Sequence, residues 1–192
     1  MSEPGSGASP QVAGLLLAAG AGRRYGRPKA LVDDWLPRAV EALRDGGCAP
    51  VVVVLGAAAD EARARVPDGV RVVVAEGWAE GMGASLRAGL AALPADADAV
   101  LVTLVDTPDV DARVVARVRS CAVGPHGLAR AAYGGRPGHP VLLGRAHWPA
   151  VHAGAVGDRG ARDVLAAAEV VAVECGDLAS GVDVDEPPTE HA

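Results

Sequence analysis

The 192-residue chain contains no phenylalanine, isoleucine or asparagine, and Lys29 is the only lysine among its 18 Lys and Arg residues. Aromatic residues make up only 3% of the chain, so Val, Leu and Ala must form most of its core. Half of the residues are nonetheless apolar, which is enough for one large domain. Because the chain contains no other lysine, we expect Lys29 to have a specific role at its position.

The chain also lacks an excess of positive charge, since its net charge is −6 and its pI is about 5.3. A general nucleic-acid or anionic-membrane surface needs a basic face, so we expect neither as a partner. The three cysteines, Cys48, Cys121 and Cys175, are too far apart to form a Cys-x-x-Cys metal pair, and their number does not suit a disulfide framework. We expect reduced, mostly buried thiols.

Long apolar runs are missing as well. No run approaches the roughly 18 residues that a membrane-spanning helix requires, and residues 1–10 do not have the charged-then-apolar order of a signal peptide. We therefore expect a cytoplasmic protein with one domain at 11–186, flanked by flexible tails at 1–10 and 187–192.

Short apolar runs of strand length alternate with segments of helical periodicity. The runs show no in-out alternation, which is typical of strands covered on both faces. Strands are predicted at 12–18, 51–55, 70–75, 99–105, 127–133, 139–144 and 169–175, and helices at 36–47, 59–66, 82–93, 110–121 and 161–168. This order predicts an α/β fold, a three-layer Rossmann-like arrangement with a mainly parallel sheet.

In such a sheet the binding crevice lies at the carboxyl ends of the strands. The loops that follow the predicted strands should therefore converge: 18–29, 76–85, 106–109, 134–140 and 176–186.

The first of these loops combines glycines with cations. Glycines at 20, 22 and 26 allow backbone N–H groups to line an anion site. Four cations accompany them: Arg23, Arg24, Arg27 and Lys29. The spacing is neither G-x-G-x-x-G nor G-x-x-x-x-G-K-[ST], which argues against a dehydrogenase or a P-loop ATPase. An ammonium that bridges phosphate oxygens acts as a compact point charge, a role for which arginine is a poor substitute. We therefore predict a phosphate cradle; the alternative is a solvated basic turn.

Acidic residues at two later loops are candidate metal ligands. Asp106 ends a buried strand, and Mg²⁺ prefers one or two carboxylates together with phosphate oxygens and water. A turn-capping role is the alternative for Asp106. We expect only one aspartate of the segment at 183–185 to face the metal, and we favour Asp183 over Asp185.

Two predicted helix starts offer free N–H groups. Gly83 and Ser85, at the start of the helix at 82–93, could hold the base or the ribose of a nucleotide, although Ser85 could equally be an N-terminal cap. Asp158, Gly160 and Ala161 form the second start, which could bind a phosphate or be a plain helix beginning.

Six motifs occur in one order along the chain: LAAGAGRRYGRPK (17–29), EGMGASLRAGL (80–90), LVDTPDV (104–110), GRPGHPVLL (135–143), GDRGARDVL (157–165) and DVDEPPT (183–189). This ordered set resembles the MobA-like nucleotidyltransferase family over nearly the whole chain. Ala19, the PGHP motif and the GD-x-GAR motif are most similar to the molybdenum cofactor cytidylyltransferase branch.

The resemblance implies a Mg²⁺-dependent transfer of CMP from CTP to molybdopterin, whose product serves a molybdenum hydroxylase. It implies catalytic roles for Lys29, Arg24 and Asp106 and metal binding by Asp106 and Asp183. The implied nucleotide-binding residues are Leu17, Ala18, Ala19, Gly20, Ala21, Gly22, Arg24, Lys29, Gly83 and Ser85. The implied acceptor-binding residues are His139, Pro140, Asp158, Gly160 and Ala161.

Other functions are also open. The enzyme could use GTP, or a sugar or alcohol phosphate as acceptor. A non-catalytic carrier of the molybdenum cofactor is a further alternative, favoured by the segment at 30–35, which is shorter than in members of the family. The presence of Lys29, Arg24 and Asp106 favours an enzyme.

Overall fold

The structure is a computed structural model, and it describes residues 10–122 and 124–187. Seven strands form one sheet: β1 (Val12–Ala18), β2 (Val51–Leu55), β3 (Arg71–Val74), β4 (Ala99–Leu104), β5 (Leu128–Tyr133), β6 (Arg136–Gly144) and β7 (Val171–Glu174). Their order across the sheet is β3-β2-β1-β4-β6-β5-β7. All neighbours are parallel except β6, which runs antiparallel to β4 and β5.

Six α-helices accompany the sheet: α1 (Trp35–Asp45), α2 (Ala59–Arg63), α3 (Met82–Ala91), α4 (Ala112–Arg119), α5 (Trp148–Gly154) and α6 (Arg162–Ala167). Three short 3-10 helices lie at Lys29–Leu31, Trp78–Glu80 and Arg145–His147. Helices α1 and α4 pack on one face of the sheet, and α3, α5 and α6 pack on the other. The predicted three-layer α/β fold is confirmed.

The central strands are buried because helices cover both of their faces. Every residue of β1 and β2 is buried, which explains why their sequences show no alternation. Helix α1 contributes Leu36, Val40 and Leu43, which are spaced along one stripe of the helix and fully buried against the sheet.

Several predicted boundaries change in the structure. Strand β6 begins at Arg136 rather than 139 because it forms a hairpin with β5, so most of the predicted loop at 134–140 is strand. Helix α5 was not predicted, since Val151 is its only buried residue and it leaves no apolar stripe in the sequence. The predicted tails lie almost entirely outside the described residues.

The sheet order fixes where a crevice can form. Strand β1 has β2 on one side and β4 on the other, so the direction in which the chain adds strands to the sheet reverses between β1 and β4. Such a topological switch point opens a crevice at the carboxyl ends of the two strands, where Leu17 of β1 pairs with Leu104 of β4. Within the described ranges, no helix has the length and apolar character needed to cross a bilayer.

Close packing of α3 on the sheet can be tested at Gly89. A Cβ atom at Gly89 would lie 2.6 Å from Leu15 Cδ1 and 3.0 Å from Val54 Cγ2. We expect Gly89→Ala to lower the free energy of unfolding by about 1–2 kcal/mol, because overpacking outweighs the gain in helix propensity. Gly154→Ala is the control, since nothing lies within 4 Å of its Cβ position. Urea unfolding should show no loss for the control, and equal stabilities of the two variants would contradict the prediction.

Candidate active site

A cleft of about 700 Å³ opens at the carboxyl ends of β1 and β4. Five parts of the chain line it: 17–25 with Lys29, 78–82 with Ser85, 104–106, Asp158 with Arg162, and Asp183 with Asp185. The convergence predicted for the loops after β1, β3 and β4 and for the C-terminal segment is therefore found, whereas residues 134–140 do not line this cleft.

The cleft collects most of the residues that the sequence singled out. Those lining it are Leu17, Ala18, Ala19, Gly20, Ala21, Gly22, Arg24, Lys29, Ser85, Asp106, Asp158 and Asp183. The residues that do not line it are Gly83, His139, Pro140, Gly160 and Ala161. The binding roles of both sets stay predictions.

The loop after β1 is shaped to receive an anion. The N–H groups of Gly20, Ala21 and Gly22 have no acceptor among the described residues. Gly22 has a positive φ of 59°, and a Cβ there would lie 1.9 Å from the carbonyl oxygen of Arg27. Only glycine fits this position, and unpaired N–H groups in such a loop form a natural phosphate site.

Lys29 joins this loop to the acidic residues of the cleft. Its Nζ donates hydrogen bonds to Asp106 Oδ2 and to Asp185 Oδ1, each at 2.8 Å. Its side chain is only 12% exposed. Burial alone would lower the pKa of Lys29, but the two hydrogen bonds and the two negative charges outweigh burial and raise the pKa above its ordinary value of 10.5. Lys29 is therefore a firmly protonated cation.

The two aspartates of the C-terminal segment have opposite electrostatic environments. The hydrogen bond from Lys29 is the main cause that lowers the pKa of Asp185, and Arg24 adds an ion pair at 2.9 Å. Burial and the charges of Asp106 and Asp185 raise the pKa of Asp183. Asp183 is thus the carboxylate that most lacks a cation.

Both Asp183 and Asp185 line the cleft, so the argument that alternation turns one of them away is wrong, whereas the choice of Asp183 as the metal ligand stays a prediction. Residues two positions apart in an extended segment face the same side. Sequence reasoning undervalued Asp185, although the same DVD motif contains both residues.

The loop after β4 holds the C-terminal segment in place. The backbone N–H of Val184 donates to the carbonyl oxygen of Asp106 at 2.9 Å. Asp109 Oδ2 accepts hydrogen bonds from the Ser180 N–H at 2.7 Å and the Ser180 hydroxyl at 2.6 Å. Asp109 was not singled out from the sequence, since its partners lie 71 residues away along the chain.

The acidic residues fit a divalent cation. The Oδ1 atom of Asp106 is buried and has no hydrogen-bond partner among the described residues, so its side chain does not cap a turn. Within residues 10–122 and 124–187, no three His, Cys, Asp or Glu side chains form a complete metal site by themselves. Mg²⁺ and similar hard ions need only one or two carboxylates together with phosphate oxygens and water.

The start of α3 differs from the prediction. The Gly83 N–H donates to the carbonyl oxygen of Gly157 at 2.7 Å, so it is not free to bind a nucleotide. Asp158 Oδ1 accepts from the Met82 N–H at 3.3 Å and thus caps α3 rather than its own helix. Ser85 lies inside α3, is buried, and is not an N-terminal cap.

His139 lies in strand β6, and its carbonyl oxygen accepts a 2.6 Å hydrogen bond from the Tyr133 hydroxyl. Burial, and then the positive charge of Arg130, lower the pKa of His139 to about 4. Its imidazole is therefore neutral near pH 7 and can donate or accept a hydrogen bond without carrying charge.

Residues 14–173 match the family model of the MobA-like NTP transferase domain. The chain belongs to this family. The MobA-like family assignment agrees with the phosphate-type loop, the lysine and the carboxylates that the cleft brings together.

Three comparisons place the chain among relatives. It is 39% identical to nicotine blue oxidoreductase from Paenarthrobacter nicotinovorans, over 92% of this chain and 93% of that protein. It is 29% identical to Rv0371c from Mycobacterium tuberculosis H37Rv, with a TM-score of 0.77, over 93% of this chain and 95% of Rv0371c. A complex of Rv0371c with manganese is 28% identical, with a TM-score of 0.74, over 91% and 94% of the two chains.

The ion pairs of Lys29 predict a specific pH dependence. The lowered pKa of Asp185 means that its ion pair with Lys29 stabilises the fold at pH values above the ordinary Asp pKa. This stabilisation is lost as the pH falls through the lowered pKa. The raised pKa of Lys29 means that its stabilisation is present below its ordinary value of 10.5 and is lost as pH rises through the raised value. The difference in unfolding free energy between the wild type and Lys29→Met should therefore be largest between about pH 5 and pH 10.

Urea unfolding across this pH range measures the difference. Arg24→Met is the control, because the Arg24 side chain is 73% exposed and its ion pair should contribute little. A Lys29→Met effect that stays constant from acid to alkaline pH would contradict the assignment.

Proposed function

We propose that this protein is a Mg²⁺-dependent nucleotidyltransferase that transfers CMP from CTP to the terminal phosphate of a molybdopterin-type acceptor. One observation carries the proposal: Lys29 lies 2.8 Å from both Asp106 and Asp185, beside a glycine loop in which the N–H groups of residues 20–22 have no acceptor among the described residues. The cleft thus offers phosphate donors and metal-binding carboxylates side by side.

In the proposed reaction, a phosphate oxygen of the acceptor attacks the α-phosphorus of CTP. A new P–O bond forms, the bond to the β-phosphate oxygen breaks, and pyrophosphate leaves with the electron pair. Negative charge builds on the leaving oxygens, so catalysis depends mainly on positioning and electrostatics. Lys29 and Arg24 would bind the β- and γ-phosphates, together with the N–H groups of the glycine loop.

Asp106 and Asp183 are the proposed metal ligands. Asp106 Oδ1 has no partner, and Asp183 has a raised pKa because burial and two neighbouring carboxylates disfavour its charge. A bound Mg²⁺ would neutralise charge on the phosphate oxygens of the nucleotide. The solved complex of Rv0371c with manganese supports the use of a divalent ion.

The choice of CTP rests on the LAAG opening of the glycine loop. Ala19 lines the cleft and places a methyl group where a glycine would leave more room, which favours the smaller pyrimidine base. GTP, or a sugar or alcohol phosphate acceptor, remains the alternative within the same reaction class. Delivery of the product to a molybdenum hydroxylase, and a cytoplasmic location, stay predictions.

The relative named nicotine blue oxidoreductase favours one second candidate, an oxidoreductase that acts on an organic dye. Such a reaction needs an electron donor in the cleft, for example a reduced nicotinamide nucleotide held by the glycine loop. The loop lacks the G-x-G-x-x-G spacing of a dinucleotide fold, so we rank this candidate second.

A pyrophosphate-release assay tests the proposal directly. CTP, GTP and ATP are offered with phosphate acceptors of the molybdopterin, sugar and alcohol classes, and CTP with the molybdopterin acceptor should give the highest kcat/KM. Lys29→Ala should lower kcat/KM by about 10²-fold or more, because the charge on the leaving group is no longer neutralised. Oxidation of NADH or NADPH by nicotine blue, without any nucleotidyl transfer, would overturn the proposal in favour of the second candidate.

Asp106→Asn separates a metal ligand from a structural residue. The amide keeps an oxygen that can accept from Lys29, so the melting temperature without ligands should stay within a few degrees of wild type. The stabilisation that Mg²⁺ and nucleotide give together should disappear, and activity should fall to background.

Asp158→Asn is the matched control, since Asp158 lines the same cleft and the amide keeps its cap on α3. This variant should retain the Mg²⁺-dependent stabilisation. Full activity of Asp106→Asn with an unchanged Mg²⁺ requirement would show that Asp106 does not bind the metal.

A further inference from the structure

Arg130, in the middle of β5, is a cation that forms no ion pair with residues 10–122 or 124–187. Its Nε is buried and has no hydrogen-bond partner in the described part of the chain. Burial is the only influence that lowers its pKa, and no carboxylate raises it. Leaving a buried guanidinium nitrogen unpaired costs free energy, so this position calls for an anionic partner.

Arg130 lies on the face of the sheet where the cleft opens. It pairs directly with Val141 of β6, and Val141 belongs to the same apolar cluster as Leu15 and Leu17 of β1. Its neighbours Ala129 and Ala131 belong to the cluster on the opposite face. This alternation follows from the period of two along a strand.

A bulge in β6 brings His139 close to Arg130. Between the pairs Arg130–Val141 and Ala132–Pro137, β5 has one residue whereas β6 has three, 138–140. Such bulges redirect side chains and are frequent beside active sites. Tyr133 fixes this bulge through its hydroxyl, which donates to the His139 carbonyl at 2.6 Å.

His139 lies in β6, between β5 with Arg130 and β4, although it does not line the cleft. Burial and the charge of Arg130 lower the pKa of His139, and the charge of Asp106 acts in the opposite direction. A neutral imidazole beside Arg130 adds a hydrogen-bonding group for a ligand without adding a competing charge.

The strand order places these groups in sequence across the sheet. The glycine loop follows β1, Asp106 follows β4, His139 lies in β6, and Arg130 lies in β5. Neighbouring strands are about 4.8 Å apart, so β4 and β5 are separated by about 10 Å. Across the sheet, Asp106 is located between the glycine loop and Arg130. Along the strands, Arg130 is level with Val141 and Val102, four residues before Asp106, so its long side chain has to extend toward the carboxyl ends to reach the cleft.

We propose that Arg130 and His139 bind the phosphate of a phosphate-monoester acceptor, on the side of Asp106 opposite the glycine loop. The planar guanidinium offers two parallel N–H donors, which match phosphate oxygens. The proposal rests on the proposed transferase function, to which it adds Arg130 as a residue that binds the acceptor phosphate.

Calorimetric titration of the full chain with inorganic phosphate tests the site. Wild type should bind phosphate at two sites, the glycine loop and Arg130. Arg130→Met should weaken binding at one site by about tenfold or more, whereas the control Arg24→Met should weaken only the other. Phosphate binding by Arg130→Met that equals wild type, or a single phosphate site in the wild type, would overturn the proposal.

The folding of the variants is checked by their melting temperatures. Arg130→Met removes a buried charge and should melt at or above the wild-type temperature. Arg130→Lys keeps the charge but not the paired donors, so phosphate affinity should fall to an intermediate value. If Arg130→Met is unfolded, Arg130→Lys decides the question: wild-type phosphate affinity in this variant would overturn the proposal.

The transfer assay separates this inference from the proposed function. Arg130→Met should raise the KM for the acceptor about tenfold or more and leave the KM for the nucleotide unchanged. Transfer with an unchanged acceptor KM would overturn the inference alone. Absence of transfer in the wild type and in all variants would overturn the proposed function. The phosphate titration would still test the role of Arg130 in that case.

Discussion

The contact on which the site depends is the ammonium of Lys29 held between Asp106 and Asp185. These hydrogen bonds join three parts of the chain that are separated by 77 and 156 residues. A mostly buried lysine requires nearby negative charge, and two neighbouring carboxylates require a cation. The glycine loop, the end of β4 and the C-terminal segment therefore keep one another in position before any ligand arrives.

The sheet makes this contact possible. Because β1 and β4 are parallel neighbours, the glycine loop and Asp106 follow strand ends at the same edge. The C-terminal segment has no strand at this point and is held by hydrogen bonds to the loop after β4, through Val184 and Asp109. The strands thus position the glycine loop and Asp106, and a hydrogen-bonded C-terminal segment positions Asp183 and Asp185.

The cleft and the neighbouring strands β5 and β6 differ in chemical character. The glycine loop, Lys29 and Asp106 suit phosphates and a divalent ion, which any NTP-using member of the family needs. Arg130 and His139 lie in β5 and β6, outside the cleft lining, and their proposed role is recognition of the acceptor. A relative that is 39% identical and named an oxidoreductase shows that family membership alone does not determine a reaction.

The sequence by itself determined the strands and the phosphate-type loop. Buried runs such as residues 51–55 reveal strands because their burial is continuous, and the cluster of glycines and cations ending at Lys29 is visible within one segment. It could not show that Asp183 and Asp185 share the cleft, that the Gly83 N–H donates to Gly157, or that the buried Nε of Arg130 has no partner among the described residues. Those facts depend on pairings between segments that are distant in the sequence. The order of the strands and the packing of the helices decide these pairings, and no local sequence pattern indicates them.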